Sequence, residues 1–189
     1  LPITSRSLVE QKIERIGREA SVDVALHGTI APGAGSDGLA EMVAAGVCGF
    51  KVSMFKTDPH RFPRIDDGQL REILIAGREA GVTVGVHAED GEIIRALVTR
   101  FRAEGRTAPR DHCATRPPES ETVAIAAGVA IAEAVGAPFH IFHASTPESG
   151  AILDAARARG ADVSAETCPH YLVLNETDMD RLGAFGKIN

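Results

Sequence analysis

The sequence predicts an α/β protein in which short, buried parallel strands alternate with helices. Five short runs rich in Val, Ile and Ala recur along the chain, as in strands that other elements cover on both faces. Segments with a helical apolar period separate these runs. Regular alternation of strand and helix is typical of βαβ units, so we expect the strands to be parallel.

The first two elements are a helix and a strand. Residues 5–20 are predicted to be helical because Leu8, Ile13 and Ile16 fall on one face. Residues 22–26 form a short apolar run and are the first predicted strand.

The next pair of elements repeats this pattern. Residues 37–45 are a short predicted helix, which Gly46 ends. Residues 47–53 are a predicted strand that contains a lysine, and residues 66–80 are an amphipathic helix that ends at Gly81.

The central part of the chain contains one strand and two helices. Residues 82–86 are the third predicted strand, and residues 92–104 form the helix that follows. Residues 105–118 are polar and proline-rich, which predicts a loop. Residues 119–135 are an alanine-rich helix, ended by Gly136.

The last part contains two further strands. They are predicted over residues 138–142 and 161–165, with a helix over 147–159 between them. Pro147 suits the first turn of that helix. A final helix is predicted over roughly residues 176–182.

Two architectures are compatible with five such units. A doubly wound open sheet would be complete with five strands, whereas a (β/α)8 barrel would not. No GxGxxG or GxxxxGK[ST] segment follows a strand, which removes the commonest reason for a nucleotide-binding open sheet. The length of 189 residues suits one domain.

Charge and cysteine content argue against several classes of function. The net charge is −6 and the isoelectric point is near 5.6, so no basic surface for nucleic acid or anionic membranes is expected. The apolar runs are too short to span a bilayer, and the first residues lack a signal-peptide pattern. Cys48, Cys113 and Cys168 form no CxxC site or disulfide framework, which predicts a reducing, cytoplasmic setting.

One lysine and two histidines lie at or near the carboxyl ends of three predicted strands: Lys51, His87 and His143. That end carries the active site in parallel α/β folds, and neutral imidazole binds Zn, Fe, Ni or Co. A single strand-end histidine is more often hydrogen-bonded to a loop, but three residues at equivalent positions favour a metal site. His140 is expected to face away from His143 and to pack against a helix.

Lys51 interrupts the apolar run of residues 48–54. A buried lysine is costly and rarely lacks a partner. If desolvation lowers its pKa, the amine can react with CO2 to form a carbamate, whose two oxygens can bridge two divalent cations. Two other interpretations remain open: a lysine that extends to the solvent at the barrel rim, or a Schiff-base lysine.

Four segments taken together resemble the cyclic amidohydrolases, which include dihydroorotase, allantoinase, hydantoinase and dihydropyrimidinase. They are GFK at 49–51, VHAE at 86–89, HIFHAS at 140–145 and ETCPHY at 166–171. Their order and spacing match the family from about residue 22 to 189. Arg116-Pro117, followed by Glu121, is similar to the family's Arg-Pro-x(3)-Glu segment.

This resemblance implies a partial (β/α)8 TIM barrel of the metal-dependent amidohydrolase type, with strands three to seven present and residues 1–189 as the central part of one barrel domain. It implies two divalent metal ions, usually zinc, with Lys51 as the carboxylated bridging ligand and His87 and His143 on the second metal. His170 and Asn189 become substrate-binding candidates. Asn189 closes GKIN at 186–189, which is similar to the start of the family's Lys-x-Asn-Pro-Pro-Leu-Arg segment.

The family also has a His-x-His pair on the first strand and an aspartate proton shuttle on the eighth. No His-x-His occurs in this sequence, so these residues are expected outside the chain, and no residue of the chain is assigned as the proton shuttle. The implied reaction is hydrolysis of a cyclic amide C–N bond by metal-activated water, in an enzyme of dihydroorotase/allantoinase type. A hydantoinase/dihydropyrimidinase-type enzyme and a non-catalytic scaffold protein are the alternatives.

Substrate preference depends on the segment after the lysine-bearing strand. Hydantoinases usually have a tyrosine five residues after the bridging lysine, and this sequence has Lys56 there. Lys56, Arg61 and Arg64 are either solvated charges or contacts for an anionic substrate. The expected partner is a small cyclic amide or ureide, and homo-oligomers are common in the family.

Overall fold

A single parallel sheet organises the part of the chain that the computed structural model describes, residues 2–56 and 64–187. Within those ranges its five strands are β1 (Leu26–Gly28), β2 (Val47–Ser53), β3 (Thr83–His87), β4 (Phe139–Ile141) and β5 (Val163–Ala165). Their order in the sheet is their order in the sequence. A doubly wound sheet reverses its order at a switch point. The consecutive order therefore matches the wall of a (β/α)8 barrel, as predicted.

Helices connect the strands and cover one face of the sheet. In the described ranges they are α1 (Arg6–Glu19), α2 (Asp37–Ala44), α3 (Asp67–Glu79), α4 (Gly91–Ala103), α5 (Pro109–Ala114), α6 (Pro118–Val135), α7 (Pro147–Ala158), α8 (Pro169–Val173) and α9 (Asp178–Leu182), followed by a 3₁₀ turn (Gly183–Gly186). Side-chain caps fix several starts: the Asp66 carboxylate accepts from the backbone N–H of Gln69 at 2.8 Å, and Asp90 caps α4 in the same way.

The hydrophobic core lies between the sheet and these helices. Phe50, Val84, Phe139 and Val163 are register partners across β2 to β5, and each is at most 5% exposed. The helices approach this row closely: a Cβ added at Gly128 of α6 would lie 2.7 Å from Cζ of Phe139. Because successive strand residues point to opposite faces, the next row faces away from the helices.

Two local predictions were wrong. The strand predicted at 22–26 forms instead at Leu26–Gly28, and Val22 is 74% exposed. The predicted loop at 105–118 contains α5. The helix α8 forms after β5, where no element was predicted. Backbone pairing with β2, not apolar side chains, selects β1: Gly28 pairs with Phe50, whose ring would lie 2.6 Å from a Cβ at position 28.

Arg61 and Asn189 lie outside the described residues. No helix within residues 2–56 and 64–187 is long and apolar enough to cross a membrane. Cys48, Cys113 and Cys168 are free thiols.

Candidate metal centre

His87 and His143 meet at the carboxyl end of the sheet. Nδ1 of His87 lies 3.1 Å from Nε2 of His143. His87 is the last residue of β3, and its carbonyl accepts from the N–H of Met54, which follows β2. His143 follows β4 by two residues. The fold therefore brings together two of the three predicted metal ligands, which are 56 residues apart in the chain.

The backbone at His143 has an unfavourable conformation. Its φ is +45°, and among the described residues it is the one non-glycine residue with positive φ. Such a conformation is costly outside glycine and concentrates at functional sites. Burial, followed by the charges of His87 and Lys51, lowers the pKa of His143 to about 4. At neutral pH its imidazole is neutral and can offer a lone pair.

Glu89 fixes the proton of His87. Its Oε2 lies 2.7 Å from Nε2 of His87, and its Oε1 lies 3.6 Å from Nε of Arg116. Burial alone would raise the pKa of Glu89, but the hydrogen bond to His87 and the charges of His87 and Arg116 hold it below its usual value. An ionised carboxylate can accept a hydrogen bond but cannot donate one. The ring nitrogen that faces Glu89 must therefore be the donor, so a neutral His87 carries its proton on Nε2. The lone pair on Nδ1 is then directed at His143.

Lys51 lies on the sheet face that points away from the helices. Its register partner in β3 is Gly85, and Nζ of Lys51 lies 4.4 Å from the centroid of the Phe142 ring. Burial lowers the pKa of Lys51, and the charge of Glu166 partly opposes this shift. The charges of Lys51 and His87 both lower the pKa of His143, so the three predicted ligands are close enough to interact electrostatically.

The prediction that His140 packs against a helix was wrong. His140 is the register partner of Gly85, which is in turn the partner of Lys51, so all three residues lie on the face away from the helices. Nδ1 of His140 lies 2.9 Å from Oγ of Ser164 in β5. The strand ends at Ile141, and a turn with positive φ at His143 removes the simple alternation from which the prediction was made.

Glu121 anchors the loop that carries His143. From the first turn of α6 its carboxylate accepts from the N–H and Oγ of Ser145, from the N–H of Thr146 and from Oγ of Ser149. Charge-assisted bonds to a carboxylate are stronger than neutral ones. Glu121 therefore holds the segment between His143 and the start of α7 against α6.

The structure describes one of the two predicted substrate-binding residues, His170. His170 lies in α8, its ring packs edge-on at 4.4 Å against the ring of Tyr171, and its buried Nε2 has no hydrogen-bond partner among the described residues. Tyr171 lines a small cavity together with His87 and His143. Asn189 lies outside the described residues.

The donor set fits one metal ion at the histidine pair. Two nitrogens bound tetrahedrally to one zinc at about 2.0–2.1 Å would lie roughly 3.3 Å apart. The observed 3.1 Å is close to that value. Among residues 2–56 and 64–187, no three His, Cys, Asp or Glu side chains form a complete metal site. A bound ion would therefore need a further ligand, for which Lys51 is the neighbouring candidate.

Glu89 and Phe142 were not predicted as site residues, and Glu121 was named only as part of the Arg-Pro-x(3)-Glu resemblance. Glu89 could have been found, because residues i and i+2 of an extended segment share a side and Glu89 follows the strand-end His87 by two. Phe142 and Glu121 act through contacts between distant segments, which no local pattern reveals.

The consecutive parallel sheet and the histidine pair at its carboxyl end together match part of a barrel of the amidohydrolase class. Comparison with protein-family models finds no match. Among curated proteins, the chain is 39% identical to an allantoinase of Rubrobacter xylanophilus over 98% of its own length and 41% of that protein. It is 40% identical to a D-hydantoinase of Ralstonia pickettii over 72% of its length and 29% of that protein.

Solved structures give a consistent result. An L-hydantoinase (dihydropyrimidinase) from Arthrobacter aurescens superposes with a TM-score of 0.95 at 30% identity, over 99% of this chain and 41% of that one. A D-hydantoinase superposes with a TM-score of 0.85 at 33% identity, over 97% and 40%. The chain belongs to the cyclic amidohydrolase family, and it spans about two fifths of the length of the relatives it matches.

Proposed function

We propose that the full-length protein is a metal-dependent hydrolase that opens a cyclic amide at its C–N bond. The observation that supports this most directly is the facing pair of imidazole nitrogens of His87 and His143, 3.1 Å apart. Lys51 lies on the neighbouring strand, on the same sheet face. In this proposal, residues 1–189 are the central part of the barrel, strands three to seven, and the chain alone is inactive.

Two divalent metal ions, zinc in the first instance, would be held in part by this chain. His87 and His143 would bind one ion, and Lys51 would bridge both as a carbamate. When bound, the ions supply Lewis acidity at the scissile carbonyl and a nucleophilic water near neutral pH. Two ligands on the first strand and an aspartate proton shuttle are expected outside the chain.

The residues of this chain have distinct tasks in that reaction. The Lys51 amine forms an N–C bond to CO2 and loses a proton, and the lowered pKa of Lys51 favours the neutral amine that this step needs. Glu89 keeps the proton of His87 on Nε2, and Glu121 holds the His143 loop. Tyr171 lies beside the histidine pair, where a bound ring could contact it.

The proposed substrate is a cyclic ureide such as allantoin. The allantoinases from Rubrobacter xylanophilus and Solibacter usitatus are 39% and 38% identical to the chain over 98% and 96% of its length. Lys56 lies where hydantoinases usually have a tyrosine, which supports the same choice. Dihydroorotate remains in the proposed substrate class as a second ring amide.

A hydantoinase or dihydropyrimidinase activity is the second candidate. It is favoured by the superposition on the Arthrobacter aurescens L-hydantoinase, with a TM-score of 0.95. Backbone similarity shows which fold two proteins share, but it does not show which substrate ring the active site accepts. The two candidates therefore differ in substrate and not in the chemistry of the site.

Hydrolysis of a substrate panel by the full-length protein tests both candidates. Allantoin, hydantoin, dihydrouracil and dihydroorotate would be supplied with zinc and bicarbonate. We expect the fastest hydrolysis with allantoin, and loss of activity in His87→Asn but not in Arg71→Gln, an exposed residue of α3. Preference for hydantoin would favour the second candidate. No hydrolysis of any ring by a zinc-loaded protein would contradict the proposal and favour a scaffold role.

A further inference from the structure

A cavity of about 650 Å³ lies beside the histidine pair. Its walls come from the segment after β2, from α4, and from the segment that leads into α5. Two of these segments follow the carboxyl ends of β2 and β3, so the cavity lies at the same end of the sheet as His87. Its volume is in the range of small-molecule sites, roughly 300–1,000 Å³.

The cavity has an excess of positive charge in a chain whose net charge is −6. Five arginines and two lysines line it, against two carboxylates. Three of the arginines pair with carboxylates: Arg95, Arg106 and Arg116. The other four cations have no carboxylate within ion-pair distance among residues 2–56 and 64–187: Lys56, Arg64, Arg102 and Lys187. A concave surface with such an excess of positive charge concentrates anions.

One layer of side chains separates this cavity from the histidine pair. The Phe55 ring lines the cavity and lies 6.4 Å, centroid to centroid, from the ring of His87. Arg116 also lines the cavity, and its Nε lies 3.6 Å from Oε1 of Glu89, which holds His87. An anion in the cavity would therefore lie next to the reaction site but not on the histidines.

The proposed reaction creates an anion from a neutral ring. Water forms a C–O bond at the ring carbonyl, the C–N bond breaks, and the ring nitrogen takes up a proton. The new carboxylic acid then loses a proton to solvent, so a ureide ring becomes a linear ureido carboxylate. We propose that the basic cavity binds the carboxylate of the ring-opened product, an inference that rests on the proposed function.

Direct binding of N-carbamoylglycine to the full-length protein tests this inference. The double variant Lys56→Gln/Arg102→Gln removes two cavity charges, and the control Arg71→Gln removes one exposed charge outside the cavity. Calorimetric titration should show a Kd about tenfold higher in the double variant and unchanged in the control, with little change for the neutral N-carbamoylglycinamide. An unchanged Kd in the double variant, or an equal loss in both variants, would overturn the inference.

Salt dependence of the unmodified protein gives a second measurement that needs no variant. Carboxylate binding should weaken several-fold between about 0.05 and 0.5 M NaCl, because exposed cations are screened over this range. Salt-independent binding would overturn the inference. The two failures can be told apart. If the protein hydrolyses no ring, the proposed function fails. If it hydrolyses a ring but the cavity binds no carboxylate, only the cavity inference fails.

Discussion

Lys51 and Gly85 are register partners on neighbouring strands, and the missing side chain at Gly85 makes room for the ring that lies beside Lys51. A Cβ at position 85 would lie 2.3 Å from Cε2 of Phe142. The same ring lies 4.4 Å from Nζ of Lys51. Burial at this position lowers the pKa of Lys51 and favours its neutral amine, which is the form that reacts with CO2.

Replacement of Gly85 by alanine should destabilise the protein. The new methyl group would force the Phe142 ring to move, which we expect to cost about 1–3 kcal/mol in the free energy of unfolding. Gly150→Ala is the matched control, because position 150 lies in α7 with nothing within 4 Å of an added Cβ. That control should stabilise by about 0.5–1 kcal/mol. Urea unfolding measures both, and equal stability of Gly85→Ala and the unmodified protein would refute the packing argument.

Glu89→Gln should weaken metal binding at the histidine pair. Loss of the carboxylate that fixes His87 should reduce metal affinity about 10-fold or more, as for other outer ligands of metal-bound histidines. Competition with a chromogenic chelator measures the affinity without reference to turnover. Glu72→Gln, an exposed change on α3, is the control. Equal affinities in the two variants would show that Glu89 does not support the metal.

Glu121→Ala should loosen the loop that carries His143. Removal of a carboxylate with several partners is expected to cost about 2–3 kcal/mol, because Ser145, Thr146 and Ser149 lose a charged acceptor. Glu119→Ala changes an exposed residue in the same first turn of α6, so its effect should stay within about 0.5 kcal/mol. Hydrogen exchange at residues 143–149 should rise in the first variant alone.

Acid should destabilise the metal-free protein partly through His143. Its pKa is about 4 in the folded chain and 6.5 in its ordinary state, so the unfolded chain binds the extra proton between these values. The stability that the neutral ring contributes is fully present above about pH 6.5 and is lost as the pH falls towards 4. His143→Asn should reduce this loss, since asparagine does not titrate and tolerates positive φ. The measurement is the urea midpoint of unfolding from pH 7 to 4 in the presence of a chelator. If His143 played no part, the midpoint would fall with pH in the same way in both proteins.

Much of the fold follows from local patterns, and the exceptions have physical reasons. The strand Val47–Ser53 was predicted with its observed bounds, because its apolar run is long. The first strand was displaced because its position depends on pairing with β2 rather than on its own side chains. The short helix Pro109–Ala114 was missed because its segment is polar and proline-rich, and its start is held by a hydrogen bond from the N–H of Ala108 to the Asp111 carboxylate.

The candidate site was predictable to a similar degree. Positions at strand ends and the family resemblance identified Lys51, His87 and His143 as one group. The supporting contacts of Glu121 and Phe142 join residues far apart in the chain, and the positive φ of His143 is set by its loop. These features arise from tertiary packing, so sequence periodicity carries no sign of them.

The central claim is that Lys51, His87 and His143 serve one binuclear metal centre in the full-length protein. Elemental analysis of that protein, purified without chelator and with bicarbonate present, tests this directly. We expect about two divalent ions per subunit, as in two-metal hydrolases, with a large loss in Lys51→Ala and none in Arg71→Gln. Fewer than about one ion per subunit in the unmodified protein, or full metal content in Lys51→Ala, would contradict the claim.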